Sequence, residues 1–121
     1  MDRSDRRILI VDDDINMAKT VLDVLGTQGY LGVTARDGHQ ALALAEEYPL
    51  YCVLSDIKMP GMDGVQLFHG LQETHPDFPI MLMTAYVPGE LLSRSVDQGV
   101  VAVLHKPLNF KLLFMYLQAL E

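Results

Sequence analysis

The sequence predicts an α/β fold, a doubly wound parallel sheet of five strands with helices on both faces. Three observations lead there. Aliphatic, strand-like runs alternate with segments of helical apolar spacing five times along the chain, and the connections between them are short. Four of the five runs are aliphatic enough to be buried on both faces, as strands covered by helices above and below must be. Several of these runs also end in a polar or charged residue, and an open parallel sheet binds its ligands outside the carboxyl ends of its strands.

The first run, residues 8–11, stops in three acids, Asp12, Asp13 and Asp14. Apolar residues at Ile15, Ala18, Leu22 and Leu25 then keep helical spacing; Asp14 or Asn16 can cap the start, and Gly26 and Gly29 offer a stop. Residues 31–35 form a weaker strand, interrupted by Gly32 and therefore expected at an edge. Asp37-Gly38 makes a turn into an alanine-rich helix with Ala41, Leu42, Ala45 and Tyr48 on its apolar face and Pro49 ending it. The central run starts at Leu50, ends in Asp56 and breaks into the loop Met59-Pro60-Gly61-Met62-Asp63-Gly64. Val65, Phe68 and Leu71 mark a third helix, and residues 80–83 a fourth buried strand ending at Thr84. A weakly apolar helix is expected over 88–98, a fifth strand over 100–104 ending at His105-Lys106-Pro107, and a last helix over 109–120.

With 121 residues the chain makes one domain, 1–121, able to build its core without staples. Its formal charge of -7 argues against nucleic acid or an anionic membrane as a direct partner. The single cysteine, Cys52, lies within the central run, excludes an internal disulfide and reads as a small buried hydrophobe. No stretch has the length of a membrane span and the start lacks a secretory apolar region, so a soluble, cytoplasmic protein is expected.

On such a sheet Asp12 and Asp13 end strand one, Asp56 strand three, Thr84 strand four and Lys106 strand five, all at one edge. Three carboxylates this close repel unless a cation joins them, and an all-oxygen cluster selects a hard one, Mg2+. Because Mg2+ keeps waters and binds through one or two carboxylates plus a phosphate oxygen, a phosphoryl group is its natural further ligand. Lys106 supplies a positive charge to that group, Thr84 a hydroxyl, and Asp56 the nucleophile that forms an acyl phosphate. Asp63 reads as a turn and helix start. His39, His69, His75 and His105 lack metal-ligand spacing and read as surface residues.

Asp12-Asp13 after strand one, the D-x-K-M-P-G-M-D-G segment from Asp56 to Gly64, Thr84-Ala85 and Lys106-Pro107 together resemble response-regulator receiver domains. The likeness covers almost the whole chain with the motifs in order. It implies a flavodoxin-like strand order 2-1-3-4-5, phosphorylation of Asp56 by a histidine kinase or phosphotransfer protein, and Mg2+ held by Asp13, Asp56 and the backbone carbonyl of Lys58, with Asp12 acting through water. Thr84 becomes the switch hydroxyl and Lys106 the phosphoryl-binding lysine. The domain is then a signalling module, not an enzyme, although it assists its own phosphorylation and dephosphorylation.

Three features set this chain apart: one residue in the fifth strand, the flank of the acyl-phosphate site, and the last helix. Receivers commonly carry an aromatic residue three places before the lysine, where this chain has Val103. Lys58 and Tyr86, which flank the path of a water attacking the acyl phosphate, carry no carboxylate or amide to orient it. The last helix is apolar nearly all round: with Leu113, Leu117 and Leu120 on the sheet, Leu112, Met115, Tyr116 and Ala119 face outward and call for a cover. An output domain or partner protein on the face of the fourth and fifth predicted helices, or a homodimer there, would supply it. The alternative function is an Mg2+-dependent aspartyl-phosphate phosphatase, but Asp56-Ile57-Lys58 puts lysine where such enzymes carry their second aspartate.

Overall fold

Strands form where the sequence is aliphatic on both faces. In the computed structural model, which describes residues 6–85 and 98–121, β1 (Arg7–Val11), β2 (Leu31–Ala35), β3 (Cys52–Asp56), β4 (Ile80–Thr84) and β5 (Ala102–His105) make one parallel sheet. Its order is β2-β1-β3-β4-β5, with β1 pairing to both β2 and β3. Every residue of β3 and β4 is buried, whereas Leu31 and Thr34 of β2 are exposed, as an edge strand allows. The first and last runs shift slightly: Leu50 and Tyr51 precede β3 proper, and Val100 and Val101 precede β5.

Two cores lie on opposite faces of the sheet. One packs Ile8, Ile10, Leu54, Met81 and Met83 against α1 (Ile15–Gly26) and the C-terminal helix, here α4 (Phe110–Ala119), through Val21, Leu25, Leu113 and Leu117. The other packs Leu9, Val11, Val53 and Leu82 against α2 (Gly38–Glu47) and α3 (Gly64–Thr74) through Ala41, Ala45, Leu67 and Leu71. Alternation along each strand thus feeds both layers. The helix expected over 88–98 lies outside the described residues, apart from Gln98, and so does Tyr86.

Helix starts follow local chemistry. The side chains of Asp14, Asp37 and Asn109 each accept from the backbone N–H three residues on, and Asp63 and Gln66 form a reciprocal capping box. Asp14, not Asn16, caps α1. Gly26 does not stop that helix but belongs to it, and the left-handed turn falls at Gly29, with φ 83°. Ile15 corrects the expected apolar face: it is 65% exposed, and the buried stripe runs through Ala18, Val21 and Leu25. Lying at the first position of α1, Ile15 belongs to neither core, while Leu22 packs on the core as expected and Val21 joins the stripe beside it.

Among the described residues no helix is long and apolar enough to cross a membrane. Cys52 is fully buried, and desolvation pushes its thiol up to about 12, so it stays protonated. His39, His69 and His105 are exposed. His75 departs from that expectation, being half-buried, stacked on Phe78 and 3.0 Å from Glu46 of α2. On α4, Leu113 and Leu117 face the sheet, and Leu112, Met115, Tyr116 and Ala119 line an apolar groove of about 260 Å³, with Met115 60% exposed.

Candidate functional site

The carboxyl edge of the sheet gathers its charges because three strands end there at neighbouring positions. Asp12 follows β1 directly and is 1% exposed; Asp56 closes β3 and Thr84 closes β4, at 8% and 3%. Lys106 follows β5, and its backbone N–H donates to the carbonyl of Thr84 over 2.8 Å, which extends the β4–β5 ladder to the lysine itself. From there its ammonium donates to Asp12 Oδ2 at 2.9 Å and to Asp56 Oδ2 at 3.0 Å. The peptide bond between Lys106 and Pro107 is cis.

Asp12 is held from both sides, since its Oδ1 also accepts from the backbone N–H of Asp14 at 2.9 Å. Lys106 therefore bridges two buried carboxylates, a contact not anticipated from the sequence, which assigned the lysine to a phosphoryl group alone. Asp13 is exposed. One carboxylate oxygen from each of Asp12, Asp13 and Asp56 can be chosen so that all lie within 4.8 Å of one another. Such a donor set fits a hard divalent cation such as Mg2+ and suits no soft metal.

Burial pushes the Asp56 carboxyl above its ordinary value of 3.8. The hydrogen bond and charge of Lys106 and the backbone N–H of Lys58 oppose that shift, the charge of Asp12 adds to it, and the net direction is upward. For Lys106 burial acts downward, but hydrogen bonds and charge from Asp12 and Asp56 outweigh it and raise the ammonium above its ordinary value. A cleft of about 160 Å³ opens over the pair, lined by Asp56, Lys58, Thr84, Ala85 and Lys106. It brings together a carboxylate, a cation and a hydroxyl-bearing residue.

The sequence motifs Asp12-Asp13, Asp56, Thr84 and Lys106 thus converge, and Lys58 joins them on the cleft. Residues 8–118 match the family model described as "Response regulator receiver domain". The chain belongs to that family. The receiver is 37% identical over 102 residues to a response regulator receiver protein of Anaeromyxobacter sp. strain Fw109-5, an alignment covering 84% of this chain and 43% of that one. It is 33% identical over 109 residues to the transcriptional regulatory protein GlrR of Escherichia coli K12, covering 90% of this chain and 24% of GlrR. The chain therefore spans less than half the length of these relatives. Among solved structures, the Vibrio cholerae chemotaxis protein CheY4 superposes with a TM-score of 0.88 at 30% identity, covering 96% of the receiver and 98% of CheY4. A CheY-like receiver domain from Methanospirillum hungatei gives 0.87 at 31%, covering 95% and 93%.

Two glycines shape this receiver's site without carrying any reactive group. A Cβ on Gly64 would overlap the carbonyl oxygen of Asp56 and lie 2.9 Å from the Cα of Ile57, so only glycine lets α3 begin directly behind β3. Gly64 also donates its N–H to the carbonyl of Ile57 at 2.7 Å. The second, Gly38, meets the β3–α3 loop from α2. Spacing gave Asp37-Gly38 a turn role and Asp63-Gly64 a turn and helix start; the close approaches that demand these glycines are tertiary.

Proposed function

We propose that this receiver accepts a phosphoryl group on Asp56 from a histidine kinase or phosphotransfer protein and thereby switches a partner-binding face. The observation that carries the reading is the Nζ of Lys106, which lines the cleft with Asp56, lying 3.0 Å from Asp56 Oδ2 and 2.9 Å from Asp12 Oδ2. A carboxylate oxygen of Asp56 attacks the phosphorus of a phosphohistidine, a P–O bond forms as the P–N bond breaks, and the electron pair leaves with the imidazole, which takes up a proton. Lys106 is poised to follow the transferring oxygens, since it already reaches the acceptor, and Thr84 on the cleft wall supplies a hydroxyl to the new phosphoryl group. Mg2+ at Asp13, Asp56 and the Lys58 carbonyl, with Asp12 acting through water, would neutralise charge on the group in transfer.

The groove on α4 is our candidate for the switched face, covered by an output domain, a separate partner or a second copy. Relatives such as GlrR are transcriptional regulatory proteins, which supports an output module as the receiver's partner. Receivers serve signals inside the cell, and we place this one in the cytoplasm. Lys58 on the cleft wall leaves the phosphatase alternative without its second acid.

Intact-mass measurement after incubation with acetyl phosphate and Mg2+ tests the assignment. Native protein is expected to gain one phosphoryl mass, mapped to the peptide carrying Asp56, and Asp56→Asn to gain none. Equal labelling of both proteins would overturn it. Chelation of Mg2+ is expected to suppress labelling, and full labelling in chelator would remove the metal from the mechanism.

A further inference from the structure

We infer that Met62, seated on Gly38, is a positioning residue that fixes the loop carrying Lys58 against the acceptor Asp56, so that the first turn of α2 is built into the phosphoryl-transfer site. The inference rests on the reading of Asp56 as acceptor. Gly38 opens α2 and is buried; its φ is not in the left-handed region, so backbone conformation does not require glycine there. Space does. A Cβ on Gly38 would lie 2.6 Å from Met62 Sδ and 2.9 Å from both Cβ and Cγ of Met62.

The Cβ contact decides the consequence. A thioether can rotate away, whereas Met62 Cβ is fixed to its backbone and yields only if the loop moves. That loop is short and otherwise tied down. Ile57 donates to Met83 over 3.0 Å and accepts from Gly64 over 2.7 Å, Ile57 and Met59 are buried, Gly61 turns at φ 77°, and Asp63 is locked in the capping box with Gln66. Pushing Met62 outward therefore loads the limb that holds Lys58, whose N–H bonds Asp56 and whose residue lines the cleft. Neither Met62 nor Gly38 reaches the reacting atoms; they act through Lys58.

Three variants and two readouts test the inference. Gly38→Ala is expected to slow labelling by acetyl phosphate about tenfold and to raise the Mg2+ concentration for half-maximal rate, because small displacements of a transfer site are expensive in rate. Met62→Ala, which introduces no overlap, is expected to slow it about threefold by freeing the same limb. Ala45→Gly is the control, since it loosens α2 by helix propensity but leaves Met62 seated; it is expected to lower the unfolding midpoint with labelling unchanged. Amide NMR of unphosphorylated protein gives the second readout: Gly38→Ala and Met62→Ala shift the Lys58 and Asp56 amides, and Ala45→Gly does not. Unshifted Lys58 and Asp56 amides in Met62→Ala overturn the inference whether or not the chain is labelled. Labelling slowed equally in Ala45→Gly would overturn it too, leaving loss of stability as the cause. A native chain that takes no phosphoryl group, yet shows the amide shifts, would sink the acceptor reading alone.

Discussion

At the carboxyl ends of the strands Lys106 bridges the buried carboxylates of Asp12 and Asp56 at the edge of a cleft, whereas at the amino ends Tyr30 stacks between Tyr51 and Phe114, with centroids 6.3 Å apart on either side. The amino end is finished by Tyr51, whose hydroxyl donates to the carbonyl of Leu117 over 2.8 Å, and by Arg6, which lies over the Tyr51 ring and pairs with Glu121 at 2.9 Å. One end buries charge and the other buries rings. Desolvating carboxylates costs free energy that a pair of opposite charges only partly returns, while aromatic burial stabilises outright. The amino end thus ties the C-terminal helix to the sheet through rings and one hydrogen bond, and the carboxyl end carries the buried carboxylates and their lysine.

The comparison can be broken at either end, and the largest effect is expected from Leu117→Ala. Leu117 is fully buried where α4 meets the sheet, and its truncation is expected to cost about 3 kcal/mol in urea unfolding. The labelling rate of the folded fraction should be unchanged; a parallel loss of labelling would show that the two ends are not separable. Lys106→Gln strikes the other end. It leaves Asp12 and Asp56 buried without their cation and is expected to cost about 2 kcal/mol at neutral pH. Acidification should return part of that loss as Asp56 takes a proton, and the labelling rate should fall sharply. Unchanged stability at neutral pH would show that the bridge contributes nothing net.

Smaller effects sharpen the picture. Tyr51→Phe removes one hydrogen bond to a helix-end carbonyl and keeps the stacking, for an expected loss of about 1 kcal/mol. Arg6→Ala removes an ion pair whose side chains are 22% and 25% exposed, and a loss of about 0.5 kcal/mol or less is expected. A larger loss for Arg6 than for Tyr51 would reverse the ranking of charge and ring at this end.

Much of this was legible in the sequence because burial on both faces leaves a plain mark. The runs ending at Val11, Asp56 and Thr84 appear as strands in the expected places, and their polar ends meet as the topology requires. The order of the strands was not written in their composition; it came from the resemblance to receivers, and the structure bears it out. What could not be read was contact between distant residues. Tyr51 and Leu117 are 66 positions apart, and no local pattern ties a tyrosine before a strand to a carbonyl near the chain's end. Likewise the spacing that put Ile15 on the buried face of α1 carries no information on which residues of the helix meet a core. Lys106 was assigned its chemistry from its place at the carboxyl end of the fifth strand, but its second carboxylate, Asp12, emerged only from side-chain geometry. Tyr86 lies outside the described residues, as does the helix expected over 88–98 apart from Gln98, and Val103 is half-buried in β5.

The central claim, that buried charge at the carboxyl edge is kept at the expense of stability, is tested most directly by urea unfolding of native protein and Asp56→Asn across pH. The Asp56 carboxyl is raised above 3.8 by burial, so the folded chain binds that proton more tightly than the unfolded chain does. Stability from this group is present at low pH and is lost as pH rises from the unfolded value through the folded one. Asp56→Asn should therefore be the more stable protein at pH 7, with its advantage shrinking to nothing below about pH 3.8. An Asp56→Asn protein less stable than native at pH 7 would contradict the account, because Asp56 would then be part of what holds the fold together.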